Sequence, residues 1–295
     1  MSFMISGFID EISKDFEDQL KVAHELGMHQ VCLRSIGKLN ICDVPLNEIK
    51  TMVLPLLQDY QLEVACLGTP FGKVFIDDQQ AILDQKKKYS QVKDIAKLLG
   101  CSYIRVFSYY LPSGTSPDYW REAVLENLRE MVQEFSREGI TVLHENEKDI
   151  YGDSSLHCLD LLNTIDNRYF RAIFDFANFV QCQEDPLEAY ELLKPYIEDF
   201  HIKDAYQKGG KNVLCGTGAG KIDQIIKRAL MEKKDYFATL EPHLVLFDIL
   251  SQLERKSVTE ILGDTGFKTG KDGFVAQYNA FSSIVEKAFL EGSLQ

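Results

Sequence analysis

The sequence predicts a single-domain (β/α)8 TIM barrel that covers residues 1–295. Its length and its hydrophobic fraction of 45% suffice for one large core. Short runs rich in β-branched and aromatic residues alternate with longer runs of helical periodicity. No linker rich in proline and serine divides the chain, so one domain accounts for all of it.

Eight short apolar runs predict eight strands. They begin near Met4, Gln30, Leu62, Tyr103, Ile140, Arg171, Asp199 and Tyr236. Each interval between them has room for a crossover helix, which parallel strands require. Eight such units favour a closed barrel, and an open doubly wound sheet is the alternative.

Glycines mark the ends of three predicted helices. They are Gly27, Gly100 and Gly139. Glycine is common just after a helix because it adopts positive φ without steric cost. Ser116 and Pro117 form an N-cap and first-turn pair at the start of the third of these helices.

The charge and the cysteines limit the classes of function. A net charge of −13 argues against a nucleic-acid-binding surface, which needs clustered lysine and arginine. Seven cysteines without a CxxC pair suit a reducing compartment, so we expect no disulfides. No run is apolar enough to cross a bilayer and the N-terminus has no leader pattern, so we expect a cytoplasmic protein.

Acidic or imidazole side chains stand at the ends of four successive predicted strands. They are Glu145, Asp175, His201 and Glu241. In this kind of barrel the C-terminal ends of the strands carry the active site. Singly, each residue could be solvated, cap a helix or be structural. Together, three carboxylates and one imidazole form a ligand set suited to one divalent metal ion.

Four segments carry a family resemblance. They are LHEN (143–146), IFDFANF (173–179), FHIKDA (200–205) and TLEPH (239–243). With them, the chain resembles the xylose isomerase-like TIM barrel superfamily, and within it the sugar phosphate isomerase/epimerase (AP endonuclease family 2) group. The resemblance covers most of the chain and implies Glu145, Asp175, His201 and Glu241 as ligands of one divalent metal ion. It implies Mn²⁺ first, with Mg²⁺, Co²⁺ or Zn²⁺ as alternatives.

The resemblance also implies an activity. It implies an isomerase or epimerase of a small carbohydrate or sugar phosphate, in which a carboxylate moves a proton through an ene-diolate stabilised by the metal ion. Glu145 and Glu241 are then the acid/base candidates, and the alternative is that both are ligands only. Relatives that dehydrate inososes offer a second reading, and a non-catalytic sugar-binding barrel a third.

A zinc-dependent apurinic endonuclease of the same superfamily is a competing reading. That enzyme needs several additional histidines at the strand ends, and Asn178 stands here where it has a ligand. The sequence therefore supports one metal ion. Cys32 departs from the glutamate common in the epimerase relatives, which leaves the substrate open.

Further polar residues near the strand ends are candidates for substrate binding. They are Arg34, Lys73, Arg105, Lys203 and His243. The four cations could meet a phosphate, carboxylate or hydroxyl group, or they could neutralise the acidic ligands and brace the barrel rim. We expect Glu11 and Asp204 to support the site, and His144 to point to the opposite side of the barrel wall.

Two glycine-containing segments do not predict a nucleotide site. CGTGAGK (215–221) and LGTPFGKV (67–74) match neither dinucleotide nor phosphate-loop spacing. We expect turns at the barrel mouth, where glycine allows close approach of a ligand. Segment 244–269 is predicted to be an added surface element, and relatives suggest a homodimer.

Overall fold

Eight parallel strands form a barrel, which confirms the predicted fold class. The computed structural model describes residues 3–232, 234–246, 262 and 265–292. The barrel strands are β1 (Phe3–Gly7), β2 (Gln30–Leu33), β3 (Glu63–Gly68), β4 (Tyr103–Val106), β5 (Thr141–Glu145), β6 (Phe170–Asp175), β7 (Ile197–Ile202) and β8 (Tyr236–Leu240). Each begins within two residues of its predicted start.

The strands follow one another around the barrel in chain order. Every neighbouring pair from β2 to β8 is parallel, and β1 pairs with β8 through the register Phe3 to Tyr236. A parallel bridge between Phe8 and Cys32 joins β1 to β2 and closes the ring. All strands therefore deliver their C-terminal ends to the same face of the barrel.

Helices and short turns fill the intervals between the strands. The α-helices are Phe16–Glu25, Leu46–Glu48, Leu54–Asp59, Gln79–Lys87, Tyr89–Leu99, Pro117–Ser136, Ser155–Ile165, Phe176–Gln181, Pro186–Leu193, Ile222–Met231 and Gly270–Gly292. One π-turn spans Ile49–Val53, and short 3₁₀ turns span Ile9–Glu11, Ile41–Asp43 and Tyr151–Asp153. Two-residue strands form hairpins at Ser35–Ile36 with Leu39–Asn40 and at Asp204–Ala205 with Asn212–Val213.

The helix boundaries agree with their glycine signals and differ at one point. Gly27, Gly100 and Gly139 all have positive φ just beyond a helix. The predicted helix that ends at Gly100 is two helices, Gln79–Lys87 and Tyr89–Leu99, because the backbone amide of Lys88 bonds Gln85 O with the tight spacing of a turn. The surface element predicted at 244–269 lies outside the described residues except at 244–246, 262 and 265–269.

Alternation along the strands separates the core from the site. Phe200 on β7 packs against the rings of Phe176 and Tyr236, at centroid distances of 5.7 and 5.2 Å. Because successive side chains of a strand face opposite sides, His201 then points into the barrel. Phe174 and Asp175 divide in the same way at the end of β6. Apolar packing outside the barrel wall thus fixes the polar side chains inside it.

All seven cysteines are free thiols, and six of them are buried. Within the described ranges, we find no helix with both the length and the apolar character that crossing a membrane requires.

Gly72 provides a stability prediction for the loop that follows β3. Its φ is +83°, and a Cβ built there would lie 2.0 Å from Phe107 O. We expect Gly72→Ala to lower the free energy of unfolding by about 3 kcal/mol, because it adds a backbone clash to left-handed strain. Urea denaturation followed by circular dichroism measures this change.

Gly114→Ala is the matched control for this substitution. Gly114 has φ +78°, but a Cβ there would meet nothing within 4 Å. This control should cost about 1 kcal/mol, the strain alone. Equal losses in the two variants would show that the contact with Phe107 O carries no cost.

Candidate metal centre

Four side chains from four adjacent strands meet inside the C-terminal mouth of the barrel. Glu145 and Asp175 are the last residues of β5 and β6, His201 lies near the end of β7, and Glu241 follows β8 directly. Asp175 and His201 are also register partners across the sheet. Each offers one ligand atom such that all four atoms lie within 4.8 Å of one another, and all four residues are buried.

The contacts in this group converge on His201. Its Nδ1 lies 3.2 Å from Glu145 Oε1 and 3.2 Å from Glu241 Oε2. Its Nε2 faces Asp199 Oδ2 at 3.8 Å. His201 Nδ1, Asp175 Oδ2 and Glu241 Oε2 are buried, and within the described part of the chain none has a partner in hydrogen-bond geometry, so their short contacts with one another and with Lys203 are ion pairs. Buried polar atoms without hydrogen bonds that face one point fit a divalent cation at that point.

The pKa values of His201 and Glu241 are shifted by attraction between opposite charges in the group. Burial opposes a charged imidazole, yet Glu145 and Glu241 raise the pKa of His201 to about 10. Burial also opposes the carboxylate form of Glu241, but Lys203 and His201 hold its pKa well below the ordinary value. Burial raises the pKa of Asp175 to about 6 against the influence of Lys203. The carboxylates of this group thus favour a positively charged imidazole. A bound metal ion would provide that positive charge in its place.

Three of the predicted substrate-binding cations contact carboxylates of this group. Arg34 Nη1 donates to Glu241 Oε1 at 2.6 Å, and Arg105 Nη1 donates to Glu145 Oε2 at 3.0 Å. Lys203 Nζ lies 3.0 Å from Asp175 Oδ2. These three cations, all buried, neutralise the acidic centre.

Lys73 pairs with a different carboxylate, that of Glu147. Its Nζ donates to Glu147 Oε2 at 3.0 Å and sits over the ring of Phe107 at 4.4 Å. Lys148 contacts the other oxygen of Glu147 at 3.0 Å. Glu147 and Lys148 are absent from the sequence prediction, although Glu147 stands only two residues after Glu145. Burial opposes the charge of Glu147, but Lys148 and Lys73 lower its pKa.

Phe8 supports the centre from the end of β1. Its ring lies 4.5 Å from the guanidinium carbon of Arg34 and 5.0 Å from that of Arg105. It also meets His201 edge-on at 5.4 Å. Sequence patterns gave no sign of this role, because a phenylalanine after a strand is usually part of the core. Cation–π contact offsets part of the cost of burying two guanidinium groups.

Asp175 is held by backbone capping and by two asparagines. Its Oδ1 accepts a hydrogen bond from the backbone amide of Asn178 at 2.7 Å, so Asp175 is the N-cap of helix Phe176–Gln181. The side chain of Asn146 exchanges two hydrogen bonds with the Asp175 backbone, at 2.9 and 3.1 Å. These bonds direct Asp175 Oδ2 towards the centre. Capping of a helix was one of the alternatives that the sequence left open for Asp175, whereas nothing in the sequence indicated the contact with Asn146.

His243 joins Glu11 beside the centre. The backbone amide of His243 donates to Glu11 Oε2 at 2.8 Å. Its Nε2 lies 3.4 Å from Glu11 Oε1 and 3.5 Å from Glu241 Oε1. Glu11, Glu241 and His243 therefore form a second buried group with metal-ligand geometry, which shares Glu241 with the first.

The glycine-rich turn at 215–221 has a different occupant from the one expected. The carboxylate of Asp204 accepts the backbone amides of Gly216, Gly218 and Gly220 at 3.0, 2.9 and 2.9 Å, and that of Ala205 at 2.9 Å. We predicted room for a ligand at this turn, but the protein's own side chain fills it. Asp204 thus fixes the turn that follows β7.

His144 points away from the centre, as its place on β5 predicts. Its Nε2 lies 3.0 Å from Ser108 Oγ, which also accepts the amide of Gly152 at 2.7 Å. Burial lowers the pKa of His144 to about 4, so the ring is neutral at pH 7. These contacts connect three segments on the outer side of the barrel wall.

Comparisons with known proteins agree with this architecture. A family model described as a xylose isomerase-like TIM barrel matches residues 20–243. The 3-dehydroshikimate dehydratase of Bacillus anthracis is 22% identical in an alignment over 209 residues that covers 65% of this chain and 69% of that protein.

Solved structures share the fold at low sequence identity. That of L-ribulose 3-epimerase superimposes with a TM-score of 0.77 at 14% identity, covering 100% of this chain and 98% of the other. That of the IOLI protein with a zinc atom gives a TM-score of 0.74 at 14% identity, covering 97% and 99%. At such identities the likeness establishes the shared barrel.

Proposed function

This chain belongs to the xylose isomerase-like TIM barrel family, and on that premise we propose that it is a divalent-metal-dependent isomerase or epimerase of a small carbohydrate or sugar phosphate. One observation carries the proposal. Four buried ligand-type side chains from four strands have ligand atoms within 4.8 Å of one another. The epimerase fold neighbour supports the same class of reaction.

Glu145, Asp175, His201 and Glu241 would hold the ion. Three buried atoms of this set make no hydrogen bond in the described structure, and a cation satisfies such atoms. A mixed carboxylate and imidazole set suits Mn²⁺ first, with Mg²⁺, Co²⁺ or Zn²⁺ as alternatives. When bound, the ion supplies Lewis-acid stabilisation of negative charge on substrate oxygen.

Glu145 and Glu241 are the proposed proton-transfer groups. Each has one oxygen bonded to an arginine and the other directed at the centre of the group. Despite burial, His201 lowers the pKa of Glu145, and Lys203 lowers that of Glu241, so both are carboxylates at neutral pH. One carboxylate would remove a proton from the carbon beside a carbonyl, and the second glutamate, after taking up a proton from solvent, would return that proton to the same carbon.

Polar side chains around the centre are the proposed contacts of the substrate. We propose that Arg105, Lys203 and His243 contact substrate oxygens at the centre, while Lys73 acts at the rim, where its side chain is 10% exposed. Such groups suit hydroxyl, carboxylate or phosphate oxygens. A net charge of −13 argues against a nucleic-acid substrate.

Dehydration of a cyclic polyol or a related acid is the second candidate. Its support is the sequence similarity to the dehydratase of Bacillus anthracis. Removal of a proton beside a carbonyl is common to both reactions, and the dehydratase then expels water instead of returning the proton. The same residues therefore serve either reaction, and only the product distinguishes them.

Metal content and solvent exchange test the proposal together. We expect protein purified without chelator to hold about one divalent ion per chain, because the four residues form one ligand set. Incubated in D₂O with a panel of ketoses and inososes, the Mn²⁺-loaded protein should place deuterium at one substrate carbon. Elemental analysis measures the metal content, and mass spectrometry and NMR measure the deuterium in the substrate.

The chelated protein is the control for this experiment. Loss of a hydroxyl together with a new carbonyl absorbance would select the dehydratase reading. Bound sugar without exchange or dehydration would identify a non-catalytic sugar-binding barrel. A protein that takes up no Mn²⁺, Mg²⁺, Co²⁺ or Zn²⁺ would contradict the proposed centre.

A further inference from the structure

Glu241 belongs to two groups of ligand-type atoms. Its Oε2 faces His201 Nδ1 at 3.2 Å, within the first group. Its Oε1 faces His243 Nε2 at 3.5 Å, and His243 Nε2 in turn lies 3.4 Å from Glu11 Oε1. Two carboxylate oxygens and one imidazole nitrogen are ligands of the kind that hold the second ion in two-metal sites, where one carboxylate is shared by both ions.

The guanidinium of Arg34 already occupies this second group. Its Nη1 donates to Glu241 Oε1 at 2.6 Å, and its Nη2 lies 3.3 Å from Glu11 Oε1. These two oxygens are the same atoms that face His243 Nε2. Nη1 and Nη2 of the guanidinium thus bind the two carboxylates that a second ion would need as ligands.

Arg34 is held firmly in this position. On its other edge, Nε and Nη2 donate to the two oxygens of Asp10 at 3.0 and 2.8 Å. Ser35 Oγ donates to Asp10 Oδ2 at 2.7 Å, and the ring of Phe8 lies 4.5 Å from the guanidinium carbon. The arginine is fully buried. A bidentate carboxylate pair and an aromatic face leave the guanidinium little freedom to move.

The fixed charge of Arg34 opposes a second ion. Lys203, which stands 3.0 Å from Asp175 Oδ2 in the first group, differs because its flexible stem lets the ammonium move away from an ion there. A guanidinium keeps its proton at any pH the protein tolerates. A divalent ion bound to Glu241 Oε1 and Glu11 Oε1 would stand within about 4 Å of that fixed charge, where repulsion in a buried site amounts to several kcal/mol.

We infer that Arg34 takes the place of a second divalent ion, so that the centre binds one metal ion and Glu241 is shared between that ion and a guanidinium. This inference rests on the proposed metal centre. Arg34 is then a positioning residue, since it fixes one oxygen of Glu241 and directs the other at the first group. Removal of its charge exposes a second site for a divalent cation, built from Glu11, Glu241 and His243.

Metal stoichiometry under saturating Mn²⁺ tests this inference. After desalting, elemental analysis should give one ion per chain for the wild type and for Arg34→Lys, which keeps the charge. Arg34→Gln should bind two, because glutamine can still donate to Asp10 but carries no charge. The double variant Arg34→Gln/His243→Gln should return to one. Electron paramagnetic resonance of the two-ion variant should show a coupled Mn²⁺ pair.

Each alternative result is distinguishable. Two ions in the wild type, or one ion in folded Arg34→Gln, would overturn the inference and leave the proposed function standing. No ion in the wild type would remove the metal centre and the inference together. Should Arg34→Gln fail to fold, His243→Gln decides: Mn²⁺ affinity within about twofold of the wild type supports the inference. A lost ion in that variant would overturn it.

Discussion

Glu241→Gln should lower turnover about 10³-fold and weaken the bound metal ion. The amide cannot accept the substrate proton, and general acid–base groups contribute about 10² to 10⁴ in rate. It also replaces a charged ligand by a neutral one beside His201 and Lys203, which contact Glu241 Oε2 at 3.2 and 3.7 Å. Turnover at saturating Mn²⁺ and elemental analysis of the desalted protein separate the two losses.

The two proposed acid/base glutamates can be distinguished by solvent exchange. If Glu145 and Glu241 act on opposite faces of the substrate, each Gln variant keeps deuterium exchange on one face while it loses inversion. Exchange on opposite faces in the two variants would assign one face to each residue. If both variants hold metal and keep full turnover, the glutamates are ligands only and the proton-transfer proposal fails.

Glu188→Gln is the matched control for these substitutions. Glu188 is exposed on helix Pro186–Leu193, and its substitution removes the same charge at a position outside both ligand groups. Its turnover and metal content should equal those of the wild type. A loss there as large as in Glu241→Gln would point to a general effect of charge on the protein.

Asp204→Ala should be the most destabilising of the substitutions considered. Asp204 is buried, and its carboxylate accepts four backbone amides from the turn at 215–221 and from Ala205. Each buried donor left unsatisfied costs about 1 to 3 kcal/mol. Water entering the opened turn would satisfy some of them, so we expect a loss of about 4 kcal/mol in the free energy of unfolding.

Asp204→Asn is the conservative comparison for this test. Its amide keeps one acceptor oxygen of the same shape, so about half of the loss should be recovered. Denaturant titration of both variants measures the difference. If Asp204→Ala unfolds within about 1 kcal/mol of the wild type, the carboxylate does not hold the turn.

The barrel was predictable because its signals are local. Strand and helix periodicities, and glycines such as Gly100 and Gly139, appear within a few residues of the elements they specify. The positions of Glu145, Asp175 and Glu241 followed from the same signals, since the C-terminal ends of parallel strands share one face. Alternation along β5 likewise indicated that His144 points away from them.

The partners of the charged side chains could not be predicted in this way. Arg34, Lys73, Arg105 and Lys203 have the same sequence signal, a cation near a strand end. The structure gives Lys73 to Glu147 at the rim and the other three to carboxylates of the centre. Side-chain length and rotamer decide such pairings, and neither follows from residue type and spacing.

Sequence by itself thus determined the barrel, its direction and the acidic and imidazole side chains at its mouth. Tertiary structure alone decided that Asp204 fills the glycine turn and that Arg34 lies between Glu11 and Glu241. The contact between Arg34 and Glu241 joins residues that are 207 positions apart in the chain. It depends on the closure of the barrel between β1, β2 and β8, because only a closed ring brings those strand ends within reach of one guanidinium group.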